Sequence, residues 1–140
     1  MNSDSEFHTL KGYQQHSGSE MTSSMEDYLE MICRMLKNHD VVRISELAQM
    51  LNVKPSSASK MVNNLKNDGL VLFERYGYVK LTEKGGKAGE YLLYRHDVLH
   101  RFLCSINDTE DETEQVEKIE HFLNEDTVRN IDRKINKNTT

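Results

Sequence analysis

The sequence predicts a mainly α-helical protein: an N-terminal winged helix-turn-helix with a two-stranded wing, followed by a C-terminal helical dimerisation domain. Three observations support this prediction. Apolar residues recur at helical spacing on both sides of a tight turn around Asn52. Two short β-rich segments flank Tyr76-Gly77 directly after that helix pair. The last third of the chain has amphipathic helical patterns that are too short to enclose a core of their own.

Length and composition limit the class of protein. The 140 residues suffice for one domain, or for one small domain with an appendage. Because no apolar run is long enough for a transmembrane helix, we expect no membrane partner. The polar first twenty residues do not resemble a secretory signal, and Cys33 and Cys104 lack zinc-ligand spacing, so a cytoplasmic protein with reduced thiols is predicted.

Charge is divided unevenly along the chain. The net charge of −5 by itself disfavours a nucleic-acid partner. Residues 41–101, however, hold ten Lys and Arg against six Asp and Glu, whereas the rest of the chain is strongly acidic. Such asymmetry is typical of a DNA-facing half joined to an acidic half.

The first predicted helix covers residues 25–37. Ser24 is its expected N-cap, because a serine side chain can accept an unpaired backbone N–H of the first turn. Asp27 and Glu30 are three residues apart, so they are neighbours on one side of this helix.

The helix-turn-helix is predicted between residues 43 and 65. Ser45 is the expected N-cap of its first helix, and Asn52 tolerates the left-handed conformation that ends such a helix. Val53 is expected to pack in the turn. Pro55 suits the first position of the second helix, where no backbone N–H is needed.

The second helix and the wing have the residue types of a DNA-binding surface. Small hydroxyls and lysines allow a helix to approach phosphates and base edges closely, and basic residues at a wing tip can contact phosphate or a minor groove. The predicted DNA-binding residues are Lys54, Pro55, Ser56, Ser57, Ser59, Lys60, Arg75, Tyr76 and Lys80. The alternative is a generic helical hairpin with a serine-rich exposed face.

Three further helices are predicted after the wing. Thr82 is the expected N-cap of a long helix that reaches residue 106, and shorter helices are expected over 114–123 and 125–135. The apolar stripes of the last two helices would stay exposed in a monomer, which predicts a partner. A two-fold homodimer is the simplest solution, and it would place two recognition helices on a palindromic double-stranded DNA site.

Six acidic and imidazole side chains from three predicted helices form a candidate metal site. Four carboxylates could not be buried together without a cation, and oxygen and nitrogen donors without thiolate suit Mn²⁺ or Fe²⁺. Bridging carboxylates could hold two ions. The candidate ligands are Asp27, Glu30, His96, Glu117, Glu120 and His121. The alternative is that these are solvated side chains on amphipathic helices.

Five motifs, in order and spacing, resemble the manganese-type members of the diphtheria toxin repressor family, a family of metal-dependent transcriptional regulators. The resemblance covers residues 21–135. The motifs are S-M-E-D-Y-L-E (24–30), P-S-S-A-S-K-M-V (55–62), L-T-E-K-G (81–85), Y-R-H (94–96) and V-E-K-I-E-H (116–121).

The resemblance implies a repressor in which an N-terminal winged helix binds DNA, a C-terminal helical part dimerises, and the metal site lies between them. It assigns the same six ligands, with Glu30 and Glu120 as bridges, and implies two Mn²⁺ ions per subunit and control of manganese uptake genes. Iron-type members carry sulfur ligands at the positions of Asp27 and Glu117, so oxygen donors there indicate the manganese type. The implied domains are a disordered extension at 1–20, the DNA-binding domain at 21–82 and the metal-binding and dimerisation domain at 83–140.

Several alternatives stay open. An iron-responsive repressor is the nearest. A dinuclear metal enzyme is disfavoured, because the chain lacks the two Glu-x-x-His pairs of ferritin-like sites, and no enzyme activity is expected. A regulator that senses an organic ligand is a third alternative. Cys33 is either a soft donor near the site or a packed residue, and His100 either extends the site or lies outside it.

Overall fold

The computed structural model describes residues 21–74 and 77–137. Within these ranges the protein is mainly α-helical, as predicted, and contains one three-stranded antiparallel sheet. The helices are α1 (Ser23–Leu36), α2 (Ile44–Leu51), α3 (Pro55–Asn67), α4 (Glu83–Asn107), α5 (Thr113–Ile119) and α6 (Glu125–Lys137). The strands are β1 (Val42–Arg43), β2 (Val71–Phe73) and β3 (Tyr78–Leu81), and a short 3₁₀ turn spans Glu120–Phe122. The predicted extension at 1–20 lies outside the described residues.

Helix α1 begins earlier than the sequence predicted. Thr22, and not Ser24, is its N-cap: the Thr22 hydroxyl accepts the Met25 N–H at 3.1 Å. Thr22 has the extended backbone that an N-cap requires, whereas Ser24 already lies in the first turn. Leu29 and Ile32 on the inner face of α1 are fully buried, so this helix is central to the core of the N-terminal half.

The turn between α2 and α3 confirms two predictions. Asn52 ends α2 in the left-handed conformation, with φ 55° and ψ 48°. Pro55 is the first residue of α3. The expected packing of Val53 is wrong, because its side chain is 36% exposed and the turn is closed instead by the backbone, through the Val53 N–H donated to the Ala48 carbonyl at 2.9 Å.

The start of α2 also differs from the prediction. Arg43 occupies the N-cap position, and among the described residues it makes no side-chain capping bond. Ser45 lies inside the first turn and therefore cannot be the cap. The Ile44 N–H, one of the unpaired donors of that turn, is bound by the Gly77 carbonyl of the wing at 3.1 Å.

The wing belongs to a sheet with one strand more than predicted. The strand order is β1-β3-β2, with Val42 opposite Val79 and Val71 opposite Leu81. Val42 and Val79 are fully buried. The extra strand β1 fixes the wing to the start of the helix-turn-helix.

The predicted cap of the long helix is confirmed, and it joins the two halves of the chain. The Thr82 hydroxyl accepts the Gly85 N–H at 3.0 Å, and the Thr82 N–H is donated to the Leu70 carbonyl at 3.2 Å. Further along α4, Gly89 allows close contact with α1, since an added Cβ would lie 3.0 Å from Cys33. Helices α1 and α4 therefore pack directly against each other.

The C-terminal part has a small core of its own, built around Leu99, Leu103 and Val116. The single helix predicted over 114–123 is wrong, because α5 ends at Ile119 and the chain tightens into the 3₁₀ turn. In the part of the chain that the structure describes, no helix is both long and apolar enough to cross a membrane. Ile106 and Phe122 remain 59% and 49% exposed.

Candidate metal centre

Helix α1, helix α4 and the 3₁₀ turn bring acidic and imidazole side chains together. Their ligand atoms form two groups of three, each with all atoms within 4.8 Å of one another. The first triple is Glu30, His96 and Glu120, and the second is Asp27, Glu120 and His121. Glu120 belongs to both triples and is only 1% exposed. Glu30, the other expected bridge, belongs only to the first.

In the first triple, a buried carboxylate faces a hydrogen-bonded pair. His96 Nδ1 lies 3.0 Å from Glu120 Oε2. Glu30 is 8% exposed, and its Oε2 lies 3.5 Å from the Arg34 guanidinium. The other Glu30 oxygen, Oε1, is buried and has no hydrogen-bond partner among the residues the structure describes. An unpaired buried carboxylate oxygen is costly, and a cation would satisfy it.

In the second triple, the imidazole of His121 lies between carboxylates. His121 Nε2 is 3.0 Å from Asp27 Oδ1 and 4.0 Å from Glu120 Oε1. His96 therefore directs Nδ1 at Glu120, and His121 directs Nε2 at Asp27. Each histidine thus has a ring nitrogen among carboxylate oxygens, as metal-binding imidazoles do.

Burial or neighbouring carboxylates raise the pKa values of three groups at the site. Burial, followed by the nearby Glu120 carboxylate, raises the pKa of Glu30 to about 7. Hydrogen bonds to Asp27 and then Glu26 raise the pKa of His121 to about 10. The Glu120 hydrogen bond raises the pKa of His96. Glu30, His96 and His121 therefore hold protons more strongly than free side chains do. A divalent cation would take the place of these protons, and the carboxylate and imidazole donors fit such a cation.

Glu117 is the one predicted ligand that lies outside both triples. Its side chain is exposed near the end of α5. The predicted continuous helix would have placed Glu117, Glu120 and His121 on one face, but the 3₁₀ turn changes the register after Ile119. The Glu117 charge still reaches the site, because it contributes to raising the pKa of Glu30.

Two residues at the site were missed from the sequence. Glu26 Oε1 lies 2.8 Å from His121 Nδ1, and it accepts a hydrogen bond from Arg95 at 3.2 Å. Glu26 immediately precedes Asp27, and Arg95 immediately precedes His96. Their presence beside predicted ligands in the motifs S-M-E-D and Y-R-H was the available signal.

Cys33 and His100 have other surroundings. Cys33 is 4% exposed, packs against Gly89, and burial raises the pKa of its thiol, so it is a packed residue. His100 Nε2 accepts the Glu112 N–H at 3.2 Å and lies 3.2 Å from Asp111 Oδ1. Within residues 21–74 and 77–137, neither side chain joins a triple.

The predicted DNA-binding face of α3 is available to a partner. Its inner residues Ala58, Val62 and Leu65 are fully buried against α1 and the sheet. The outer residues are exposed or, for Ser59, half-buried; they are Lys54, Pro55, Ser56, Ser57, Ser59 and Lys60. Lys80 is exposed on β3. Arg75 and Tyr76 lie outside the described residues.

Replacing Glu30 by glutamine is expected to stabilise the metal-free protein at pH 8. The folded pKa of about 7 exceeds the ordinary value of 4.5, so ionising Glu30 costs folding free energy that accumulates between these two pH values. Glutamine has the same size and no charge. Thermal unfolding in chelator should show the Tm advantage of Glu30→Gln growing from pH 4.5 to 7. A Tm difference that stays constant over this range would contradict the expectation.

Two family models match the chain. The N-terminal DNA-binding domain of the iron dependent repressors matches residues 20–85, and their metal binding and dimerisation domain matches residues 82–140. Two relatives, from Bacillus velezensis and Bacillus subtilis, carry the name HTH-type transcriptional regulator MntR. Each is 41% identical over 111 residues, which is 79% of this chain and 78% of the relative.

Solved structures of manganese regulators have a similar fold. A manganese-dependent transcriptional repressor in complex with manganese has a TM-score of 0.73 at 29% identity, over 80% of this chain and 52% of that one. The manganese regulator SloR has a TM-score of 0.71 at 27% identity, over 83% and 55%. The chain thus spans about half the length of these structures. The named relatives are regulators of transcription and not enzymes.

Proposed function

The chain belongs to the iron dependent repressor family and is a metal-dependent transcriptional repressor, and on this basis we propose that Mn²⁺ is the metal that activates it. The proposal extends to two ions per subunit, bound by Asp27, Glu30, His96, Glu120 and His121, with Glu117 completing the donor set. The observation that supports it most strongly is the pair of donor triples that share the buried Glu120.

The chemistry of the donors favours manganese over softer metals. Both triples contain only carboxylate oxygens and imidazole nitrogens. Such ligands suit Mn²⁺ and Fe²⁺, whereas thiolates would favour Zn²⁺ or Cu⁺. The relatives whose names mention manganese add to this argument.

The position of the donors suggests how binding is transmitted. Asp27 and Glu30 lie on α1, which packs against α2 and α3, whereas Glu120 and His121 follow α5 in the other half. A bound cation supplies the charge that lets these carboxylates stay close. With the donors held together, α1 and its attached recognition helix keep a fixed orientation relative to the C-terminal half.

The C-terminal domain dimerises, and we propose that the two recognition helices of the homodimer read a palindromic operator. Exposed Ile106 and Phe122 belong to the apolar surface available for such pairing. The regulated genes would encode proteins of manganese uptake. The repressor would act in the cytoplasm, where it would meet its operator DNA.

Lys60→Ala is expected to weaken DNA binding by a similar factor on all sequences and to reduce the salt slope by about one. Lys60 is exposed on the outer face of α3, where it would neutralise one phosphate. Lys118→Ala removes the same charge from exposed α5 and serves as the control. Fluorescence anisotropy at several salt concentrations measures both slopes. Equal slopes for Lys60→Ala and the unmodified protein would exclude a phosphate contact.

Binding to a pool of genomic fragments tests the proposed metal. The pool is presented with chelator, and then with Mn²⁺, Fe²⁺ or Zn²⁺ at matched free concentrations. We expect a few fragments to be retained with Mn²⁺ and none with chelator. Full activation at a lower concentration of Fe²⁺ would establish the iron-responsive alternative, and retention with chelator would remove metal from the switch.

A further inference from the structure

Arg95 is an unusual feature of the site, because a charged guanidinium is almost completely buried there. Its side chain, on α4, is 3% exposed. Arg95 donates to both oxygens of Glu26 on α1, from Nη2 at 3.2 Å and from Nη1 at 3.5 Å. Its Nε is buried without a partner among the described residues. Burying this charge costs free energy, which a purely structural contact between two helices does not require.

Glu26 connects Arg95 to one of the proposed ligands. Its Oε1 lies 2.8 Å from His121 Nδ1, and Arg95 Nη2 lies 3.4 Å from that same nitrogen. An ionised carboxylate only accepts hydrogen bonds, so Nδ1 carries a hydrogen and donates it to Glu26. Two donor groups, from Arg95 and His121, are then held side by side by the negative charge of Glu26.

The opposite ring nitrogen faces the metal site. His121 Nε2 lies 3.0 Å from Asp27 Oδ1 and 4.0 Å from Glu120 Oε1. With the Nδ1 hydrogen fixed on Glu26, Nε2 is the nitrogen that a cation would bind, in place of the proton shared with Asp27.

We propose that Arg95 and Glu26 are positioning residues for the second triple: Arg95 fixes the Glu26 carboxylate, and Glu26 fixes the ring orientation and tautomer of His121. The inference rests on the proposed function, since it concerns how one of the two Mn²⁺ ions is bound. The inference also predicts different effects on the two triples. Among the described residues, Glu30 and His96 make no hydrogen bond or ion pair with Arg95 or Glu26, so the ion of the first triple should be unaffected.

A simpler role for the pair would be to hold α1 against α4. The structure offers a matched control for that role. Lys37, which directly follows α1, and Glu90 on α4 form an exposed ion pair at 3.2 Å between the same two helices, and neither residue belongs to a triple. If joining the helices were the whole role, disrupting either pair would affect metal binding in a similar way.

Titration with Mn²⁺, followed by the EPR signal of the free ion, counts bound ions without involving DNA. For Glu26→Gln we expect one ion to bind with unchanged affinity and the other about 10- to 100-fold more weakly. Glu90→Gln should bind both as the unmodified protein does. Because Glu26→Gln leaves Arg95 without its counter-ion, a second variant, Glu26→Gln with Arg95→Met, removes both charges and should show the same selective loss.

The tautomer gives a readout that a structural role would not change. With Zn²⁺ as a diamagnetic probe, the ¹⁵N shifts of His121 should show a protonated Nδ1 and a metal-bound Nε2 in the unmodified protein. A glutamine amide can present either its oxygen or its NH₂ group to Nδ1, so in both variants we expect a mixture of tautomers in place of this single state. Two ions bound at full affinity with an unchanged tautomer would overturn the inference while leaving the proposed function intact. Failure of the unmodified protein to bind Mn²⁺ would overturn both.

Discussion

Glu120→Gln is expected to abolish metal-dependent DNA binding and to lower the affinity for both Mn²⁺ ions by at least about 100-fold. Loss of an outer partner of a metal ligand typically costs 10- to 100-fold in affinity, so loss of a shared ligand should cost at least as much. Glu120 is 1% exposed and is the only residue common to the two triples, counted over the described part of the chain. No other single substitution is expected to affect both ions directly.

The variant should still fold. Glutamine preserves the size of the side chain and one acceptor oxygen for His96, and it removes the charge that opposes ionisation of Glu30. Isothermal titration with Mn²⁺ and anisotropy with operator DNA measure the two losses. Glu114→Gln, on exposed α5, is the control for a lost carboxylate. Glu117→Gln should have an effect smaller than that of Glu120→Gln. A Glu120→Gln protein with normal Mn²⁺ response would refute the shared ligand.

Gly85→Ala is expected to lower the free energy of unfolding by about 3 kcal/mol or more. Overpacking a tight site typically costs 1–3 kcal/mol, and more where the neighbour cannot move. An added Cβ would overlap the Leu70 carbonyl oxygen and lie 2.8 Å from its carbonyl carbon. Leu70 cannot retreat easily, because its side chain is 3% exposed and its carbonyl accepts from the Thr82 N–H and hydroxyl. The substitution would therefore disrupt the junction between wing and α4.

The adjacent glycine is a matched control. A Cβ at Gly86 would meet nothing within 4 Å, and alanine is favoured over glycine inside a helix. Gly86→Ala should therefore gain about 0.5–1 kcal/mol. Urea unfolding in chelator measures both variants. Equal stability of the two alanine variants would show that the Gly85 contact is not tight.

Helix positions were predictable where a single residue type suits one backbone state. Asn52 at a left-handed helix end, Pro55 at a first helical position and Thr82 at an N-cap were all correct. The caps at Ser24 and Ser45 were wrong. Near each of them several positions could begin the helix, and the choice depends on how the preceding chain packs. Strand β1 has two residues and exists only through pairing with β3, which no local pattern reveals.

The site was predictable to the level of helix faces. Spacing placed Asp27 and Glu30 on one side of α1, and the structure brings both to Glu120. Spacing did not reveal that α5 would end at Ile119, which leaves Glu117 exposed while Glu120 and His121 turn inward. The role of Arg95 was also hidden, because burial of a charged side chain follows from tertiary packing and not from periodicity.

Anomalous diffraction at the manganese edge, from crystals grown with Mn²⁺, tests the central claim most directly. The claim is that cations join α1 to the turn after α5 through Glu120. Two manganese peaks are expected, one beside Glu30, His96 and Glu120 and the other beside Asp27, Glu120 and His121. Absence of any peak within bonding distance of Glu120, or manganese bound only at the exposed acids of residues 108–114, would contradict it.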